Sequence, residues 1–212
     1  MCNCTKPTTF YNRLFARVYN PFMRQFEERV LKAKRSHLLR NMQGKVLEIG
    51  CGTGANFLHY PAGVSVVACD PSLPMLGYAY ERLGQSDVKA EIELVHAGIG
   101  DETLENYMPE DGFDAIVCTL VLCSIPDQQA AIDTIKKYLK PNGTLHVLEH
   151  IRSNSSTGQF FQDVFNPLQK FFADGCHLNR PTDKVLKSNG FQAQEETYFT
   201  EGLPFYQAIL RI

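Results

Sequence analysis

Val46-Leu47-Glu48-Ile49 runs straight into Gly50-Cys51-Gly52-Thr53-Gly54. Glycines at alternate positions let a backbone turn sharply and come close to a bound molecule, because no Cβ intervenes. An acid, Asp70, stands 20 residues after Gly50 at the end of the next β-branched run, where a carboxylate suits the hydroxyls of a ribose. Further along, Glu149-His150 closes another apolar run, and Asp174-Gly-Cys-His177 follows an aromatic segment. An imidazole at His150 could take a proton near neutral pH, or hydrogen-bond the backbone or Glu149. Asp174 and His177 could line an acceptor pocket or form a capped turn. His150 and Asp174 are the candidate catalytic residues.

Two cofactor classes use a loop of this kind. A dinucleotide pattern, Gly-x-Gly-x-x-Gly/Ala, can be traced through Gly50, Gly52 and Ala55. Glu48 argues against it, since a carboxylate two residues before the loop repels a pyrophosphate and attracts a cation. S-adenosylmethionine has no phosphate and carries a sulfonium and an ammonium group. Glu48, Gly50, Gly52 and Asp70 therefore fit that cofactor, with Cys51 in the pocket wall. Thr119 and Leu120, after a further strand, are expected to face the methyl donor. The alternative is a glycine-rich turn in which Asp70 only caps a helix. His37, His59, His96 and His146 show no metal-ligand spacing, and no metal is expected.

Alternating elements must position these residues. Lys45–Ile49, Val64–Cys69, Ile92–Ala97, Phe113–Cys118 and Thr144–Glu149 read as short strands. Helical stretches near Ala55–His59, Leu73–Leu83, Thr103–Tyr107 and Gln128–Leu139 separate them. Pro141-Asn142-Gly143 reads as the turn into the fifth strand. After it come helices over Gln159–Phe172 and Pro181–Ser188, then strands around Phe191–Phe199 and Phe205–Ile212. The pattern predicts an α/β fold with a doubly wound, mostly parallel, seven-stranded sheet. Before it, a helical piece at Thr9–Tyr19 and a helix from Pro21 to Met42, with proline at its start, form an N-terminal lid. One domain over residues 1–212 is expected, with residues 1–43 as the arm, 44–212 as the sheet domain and a helical insertion at about 157–180.

From about Lys45 to Ile212, the loop, Asp70 and the strand order resemble the class I S-adenosylmethionine-dependent methyltransferases. The resemblance implies that the glycine loop cradles the methionine part of the cofactor and that Asp70 binds the ribose. Pro71, Ser72 and Met75 would flank the adenine. The acidic residue usual after the third strand is replaced by Ala97-Gly98-Ile99-Gly100, so the backbone of Gly98 and Ile99 would serve there. Gly50-Cys-Gly-Thr-Gly-Ala-Asn-Phe57 with Tyr60-Pro61, Cys118-Thr-Leu-Val-Leu-Cys-Ser124, Glu149-His150, Asp174-Gly-Cys176 and Leu178-Asn-Arg180 are similar to the microsomal alkyl thiol methyltransferases. Those proteins begin with an apolar membrane-associating segment, which this sequence does not show.

The implied reaction is an in-line displacement in which the protein chiefly positions two reactants and excludes water. A thiol of pKa about 8.5 needs little help from a base; an amine or hydroxyl would need its proton removed. The acceptor pocket is expected to be apolar, drawing on Phe160, Phe161, Phe165, Phe171 and Phe172 and on Phe10, Tyr11, Phe15 and Tyr19. Tyr11 and Tyr19 are the expected lid contacts to the cofactor site.

The net charge of −2 excludes a globally basic nucleic-acid binder. It conceals an imbalance: residues 1–45 hold ten Lys or Arg against Glu27 and Glu28, and the remainder holds 11 basic against 21 acidic residues. The basic arm suggests a peripheral membrane contact or a solvated helix packed on an acidic domain. Seven cysteines, several in apolar runs, suit a reducing cytosol. No run approaches the ~18 apolar residues of a membrane span, and no signal-peptide pattern is read. Cys2-x-Cys4 lacks the second pair of a metal site. The expectation is a cytoplasmic monomer that methylates a small hydrophobic acceptor, a thiol first. A phospholipid or quinone methyltransferase and a non-catalytic cofactor-binding protein are the alternatives.

Overall fold

Seven strands form one sheet: β1 (Lys45–Ile49), β2 (Ser65–Asp70), β3 (Glu91–His96), β4 (Phe113–Thr119), β5 (Leu139–His150), β6 (Gln192–Glu201) and β7 (Leu203–Arg211). The computed structural model describes Thr5 and residues 8–212, so Cys2 and Cys4 lie outside the described residues. The strand order is β3-β2-β1-β4-β5-β7-β6. The first five strands are parallel, and β7 runs antiparallel to both β5 and β6. The order reverses between β1 and β4, and in open α/β sheets ligands gather beyond the carboxyl ends of the strands at such a point.

The strands read as β-branched because both faces of the sheet are covered. Successive residues of β1 serve opposite cores: Leu47 and Ile49 join Ile116, Ile132, Leu145 and Tyr206, whereas Val46 joins Leu31, Leu38, Val66 and Leu148. Fully burying each such side chain contributes about 1.5–3 kcal/mol. β6 forms an edge, and its outward Glu195, Glu196 and Glu201 discourage pairing with another chain.

The helices are α1 (Phe10–Phe26), α2 (Lys32–Leu39), α3 (Leu73–Leu83), α4 (Gln128–Tyr138), α5 (Ser156–Phe172) and α6 (Thr182–Ser188). The arm differs from the sequence expectation. Pro21 starts no helix; it lies inside α1, which begins at a capping box in which Thr9 and Asn12 bond each other's backbone N–H. The reciprocal cap outweighs the donor that Pro21 removes from the ladder. A π-helical turn at Glu27–Leu31 then joins α1 to α2. Only 3-10 turns form at Phe57–His59 and Glu102–Tyr107, where helices were expected. β5 starts at Leu139 and passes through Pro141-Asn142-Gly143, with Asn142 at φ 68° and a register shift opposite Phe113/Ala115. Asparagine tolerates that left-handed conformation, so the expected turn survives as an irregularity within the strand. No helix among the described residues is long and apolar enough to cross a membrane.

Candidate active site

All three loop glycines adopt positive φ: Gly50 at 65°, Gly52 at 57° and Gly54 at 76°. A Cβ on Gly50 would lie 2.2 Å from Val121 Cγ2, and one on Gly54 would lie 2.5 Å from the Phe57 ring. A Cβ on Gly52 would meet only the Met75 methyl, at 3.5 Å. Gly50 and Gly54 thus let the loop pack, while Gly52 and Met75 border open space that a side chain would enter. Asp70 Oδ2 accepts from Gly52 N at 2.9 Å, and its Oδ1 accepts from Ser72 N at 2.8 Å. Cys51, buried in the wall, donates its N–H to the Cys69 carbonyl at 3.0 Å. The Pro71 carbonyl bonds His96 Nε2 at 3.0 Å, which ties the start of α3 to the end of β3. Beyond β3, Gly98 is buried and accepts from Asp101 N at 3.1 Å, and Ile99 packs partly buried against the core.

Glu48 is buried beneath this loop. Its Oε1 accepts from Asn56 Nδ2 at 2.9 Å and its Oε2 from the Tyr60 hydroxyl at 2.8 Å. Burial pushes its carboxyl up, against the two hydrogen bonds and the Arg35 charge. Arg35 comes from the arm: its NH1 donates to Asn56 Oδ1 and Thr119 Oγ1, both at 2.8 Å, and its Nε to Glu27 Oε1 at 2.8 Å. The residue expected to meet a ligand cation therefore anchors an internal network joining arm, loop and β4. Sequence reading missed Arg35, Asn56 and Tyr60. The visible signal was a cation on the apolar stripe of α2, four residues from both Leu31 and Leu39.

The far wall follows β4 and β5. Leu120 takes φ 55° and donates to the Leu148 carbonyl at 2.8 Å. Glu149 Oε1 then gathers Val121 N at 2.7 Å and Leu122 N at 2.8 Å. Of the two proposed bases, His150 is buried with Nε2 3.0 Å from Cys176 Sγ, bonding neither the backbone nor Glu149. Cys176 Sγ is in turn 3.6 Å from Cys123 Sγ. The Cys123 neighbour and burial push the Cys176 thiol up. Asp174 occupies the turn after α5 at φ 51°, half-buried, and the following residues present Cys176. His177 bonds the Cys123 carbonyl instead of entering the cluster. The absence of a metal was expected from the spacing of four other histidines; the fold brings together three donors from segments far apart in sequence.

The arm crosses this end of the sheet. Thr53 Oγ1 donates to Asn20 Oδ1 at 2.6 Å. Tyr19 is partly exposed as a residue, and burial of its phenol pushes it up to about 12, against the Arg35 charge. Tyr11 sits at the seam with α5, its hydroxyl donating to the Phe171 carbonyl at 2.7 Å. The aromatic residues expected to line an acceptor pocket divide. Phe10 is 81% exposed, and Phe160, Phe171 and Phe172 face outward. The half-exposed Phe161 and Phe165 line an open cavity of about 540 Å³ with Leu178 and Pro204, and Phe15 and Tyr19 are half-buried. The rest of the α5 stripe stays outside because the helix packs through a polar contact, Gln162, which bonds Ser153 N and the Ile151 carbonyl.

A methyltransferase-domain family profile matches residues 23–196. Human thiol S-methyltransferase TMT1A is 31% identical over 198 residues, covering 89% of this chain and 76% of that protein. Human TMT1B is 33% identical over 156 residues, covering 72% of this chain and 63% of its own length, so the chain spans less than two thirds of that relative. Among solved structures, a DhpI–SAM–HEP complex aligns with TM-score 0.64 at 21% identity, covering 95% of this chain and 94% of its own. An O-methyltransferase family protein from Burkholderia thailandensis aligns with TM-score 0.67 at 12% identity, covering 92% of this chain and 59% of its own.

Proposed function

This chain belongs to the S-adenosylmethionine-dependent methyltransferases, and from that premise we propose that it transfers the methyl group to a small hydrophobic thiol. Bound S-adenosylmethionine supplies an activated methyl on a positively charged sulfur. The residues present suit it: Gly52 leaves room for close approach, Asp70 is held by Gly52 N and Ser72 N beside that space, and Met75 borders it. Glu48 acts through the loop, holding Asn56 and Tyr60 and placing a buried acid below the site.

The observation that carries the acceptor class is the state of the two proposed bases. His150 Nε2 is engaged with Cys176, and Asp174 stands in a turn after α5. Such a wall suits an acceptor that ionises with little assistance, as a thiol does. The names of the TMT1 relatives point the same way. The test is initial rates across alkyl thiols, phenols, amines and phospholipids, read by S-adenosylhomocysteine release. The proposal expects thiols to lead by at least about tenfold in kcat/KM, roughly 1.4 kcal/mol. A lead for an amine or a lipid would overturn it.

A second observation favours work at a membrane surface, the setting in which phospholipid or quinone acceptors would be met. Phe10, Leu14, Val18 and Phe22 form an exposed stripe on α1, flanked by Arg13, Arg17 and Arg24. Phe160, Phe161, Val164, Phe165, Leu168, Phe171 and Phe172 expose one face of α5, and Tyr11 joins the two helices. Adjoining apolar stripes with arginines beside them suit an anionic lipid surface.

A further inference from the structure

Cys123, His150 and Cys176 come from three elements that end on one side of the sheet: the loop after β4, the last residue of β5 and the turn after α5. The loop carrying Cys123 also carries Val121, whose methyl fills the place a Cβ on Gly50 would take. The cluster is therefore one short loop away from the cofactor's glycines. All three side chains are buried, and their donor atoms lie within 4.8 Å of one another. Two further buried polar atoms here, His150 Nδ1 and Glu149 Oε2, have no hydrogen-bond partner. Neither is one of the three converging donors, which are the two sulfurs and His150 Nε2.

We propose that Cys123, His150 and Cys176 form a zinc site whose fourth position receives the acceptor thiol. Two thiolates and an imidazole are a borderline-soft donor set, and a zinc with three protein ligands keeps one position open for chemistry. Tetrahedral bonds of about 2.3 Å to sulfur and 2.0–2.1 Å to nitrogen place donors about 3.6–3.8 Å apart. The two sulfurs stand 3.6 Å apart, and Nε2 lies 3.0 Å from Cys176 Sγ; small rotations of the His150 and Cys176 side chains complete the tetrahedron. Two Cys thiolates and a neutral imidazole balance the charge of Zn²⁺, and the two thiol protons leave to solvent on binding.

The inference rests on the thiol reading above and deepens it. An acceptor thiol entering the fourth position gives its proton to solvent and is held as a thiolate through a zinc–sulfur bond. When its sulfur forms the new bond to carbon, the carbon–sulfonium bond breaks, and the product is a neutral thioether. A thioether is a weaker zinc ligand than a thiolate, so the zinc–sulfur bond breaks and the product leaves. Arg180 braces the loop that carries Cys123, its guanidinium donating to the Leu122, Ile125 and Pro126 carbonyls.

The test uses the full chain, purified under reducing conditions and measured for zinc by elemental analysis. Apoprotein is then titrated with Zn²⁺ against a chromogenic chelator and with Co²⁺ for the thiolate-to-cobalt absorption. One ion per chain is expected, with affinity lowered by at least about 100-fold in Cys123→Ser, Cys176→Ser and His150→Ala, since first ligands matter at least as much as their supports. Far-ultraviolet circular dichroism reports whether each variant folds, and the wild-type cobalt spectrum decides the matter if one does not. No uptake of either ion by the reduced wild type, or a Cys123–Cys176 disulfide in its place, overturns the site. Thiol methylation by a metal-free protein overturns the zinc inference alone. Zinc bound through these three residues without thiol turnover supports the site and overturns the acceptor reading.

Discussion

Gly52 N donates to Asp70 Oδ2 at 2.9 Å, joining the loop after β1 to the carboxylate that ends β2. The glycine approaches the ligand space and the acid borders it, so one hydrogen bond sets both. Asp70 also receives Ser72 N at 2.8 Å, which leads the chain into α3 and Met75. The proposed cofactor cradle is thus one connected unit.

Gly50 and Gly52 separate folding from binding. Gly52→Ala places its Cβ in open space at positive φ, costing about 1–2 kcal/mol of strain and a few degrees of Tm, while cofactor affinity falls by about tenfold or more. Gly50→Ala adds a collision with Val121 and lowers Tm by roughly twice as much. Differential scanning calorimetry beside ligand titration reads both. Equal Tm losses with unchanged affinity for Gly52→Ala would contradict the assignment.

Arg35 is the mechanical link between arm and site. Its side chain is 4% exposed and its partner Glu27 25%, so Arg35→Met removes a mostly buried charge and leaves Glu27, Asn56 and Thr119 short of donors. A loss of about 3 kcal/mol in urea unfolding is expected. Arg35→Lys should recover less than half, because an ammonium cannot serve three acceptors in the guanidinium's fixed plane. Full rescue by lysine would show that charge alone matters.

His146 sets an acid limit on stability. Burial lowers its pKa to about 4, against the bond from Nδ1 to the Leu38 carbonyl. The folded state therefore binds fewer protons than the unfolded one between about pH 6.5 and 4. Its contribution is present above pH 6.5 and is lost as pH falls toward 4, by up to about 3 kcal/mol. Urea midpoints across this window should slope steeply for the wild type and less for His146→Gln. Parallel slopes would refute the assignment to this residue.

The stripes on α1 and α5 predict salt-sensitive membrane binding. Vesicles containing phosphatidylserine should sediment the protein at low salt, and neutral vesicles much less. Arg13→Glu with Arg17→Glu should weaken binding by about tenfold or more, at about 1 kcal/mol for each lost cation. Phe10→Ser with Phe22→Ser should reduce binding at all salt concentrations. Failure to sediment with anionic vesicles would contradict the membrane reading.

Local patterns carried the sheet, the glycine loop and Asp70, because β-branched alternation and positive-φ glycines leave direct traces in residue type. Long-range partners left weaker traces. Nothing adjacent to Cys123 names His150 or Cys176, which only the sheet order and the turn after α5 bring together. Pro21 read as a helix start because its neighbours could not reveal that Thr9 and Asn12 cap the same helix. Glu48 read as a ligand contact because Asn56 and Tyr60, which occupy it, lie on a turn whose direction depends on packing. The α5 aromatics all read as pocket lining, though only Phe161 and Phe165 line a cavity, because periodicity identifies a stripe without saying which way each residue faces.

The most direct measurement is titration calorimetry of S-adenosylmethionine against the wild type and Asp70→Ala. Removing this carboxylate leaves Gly52 N and Ser72 N without their acceptor, and affinity should fall by about 100-fold, roughly 2.7 kcal/mol. Wild-type binding at one site with that loss is the predicted result. No wild-type binding, or equal affinity in the two proteins, would contradict the account.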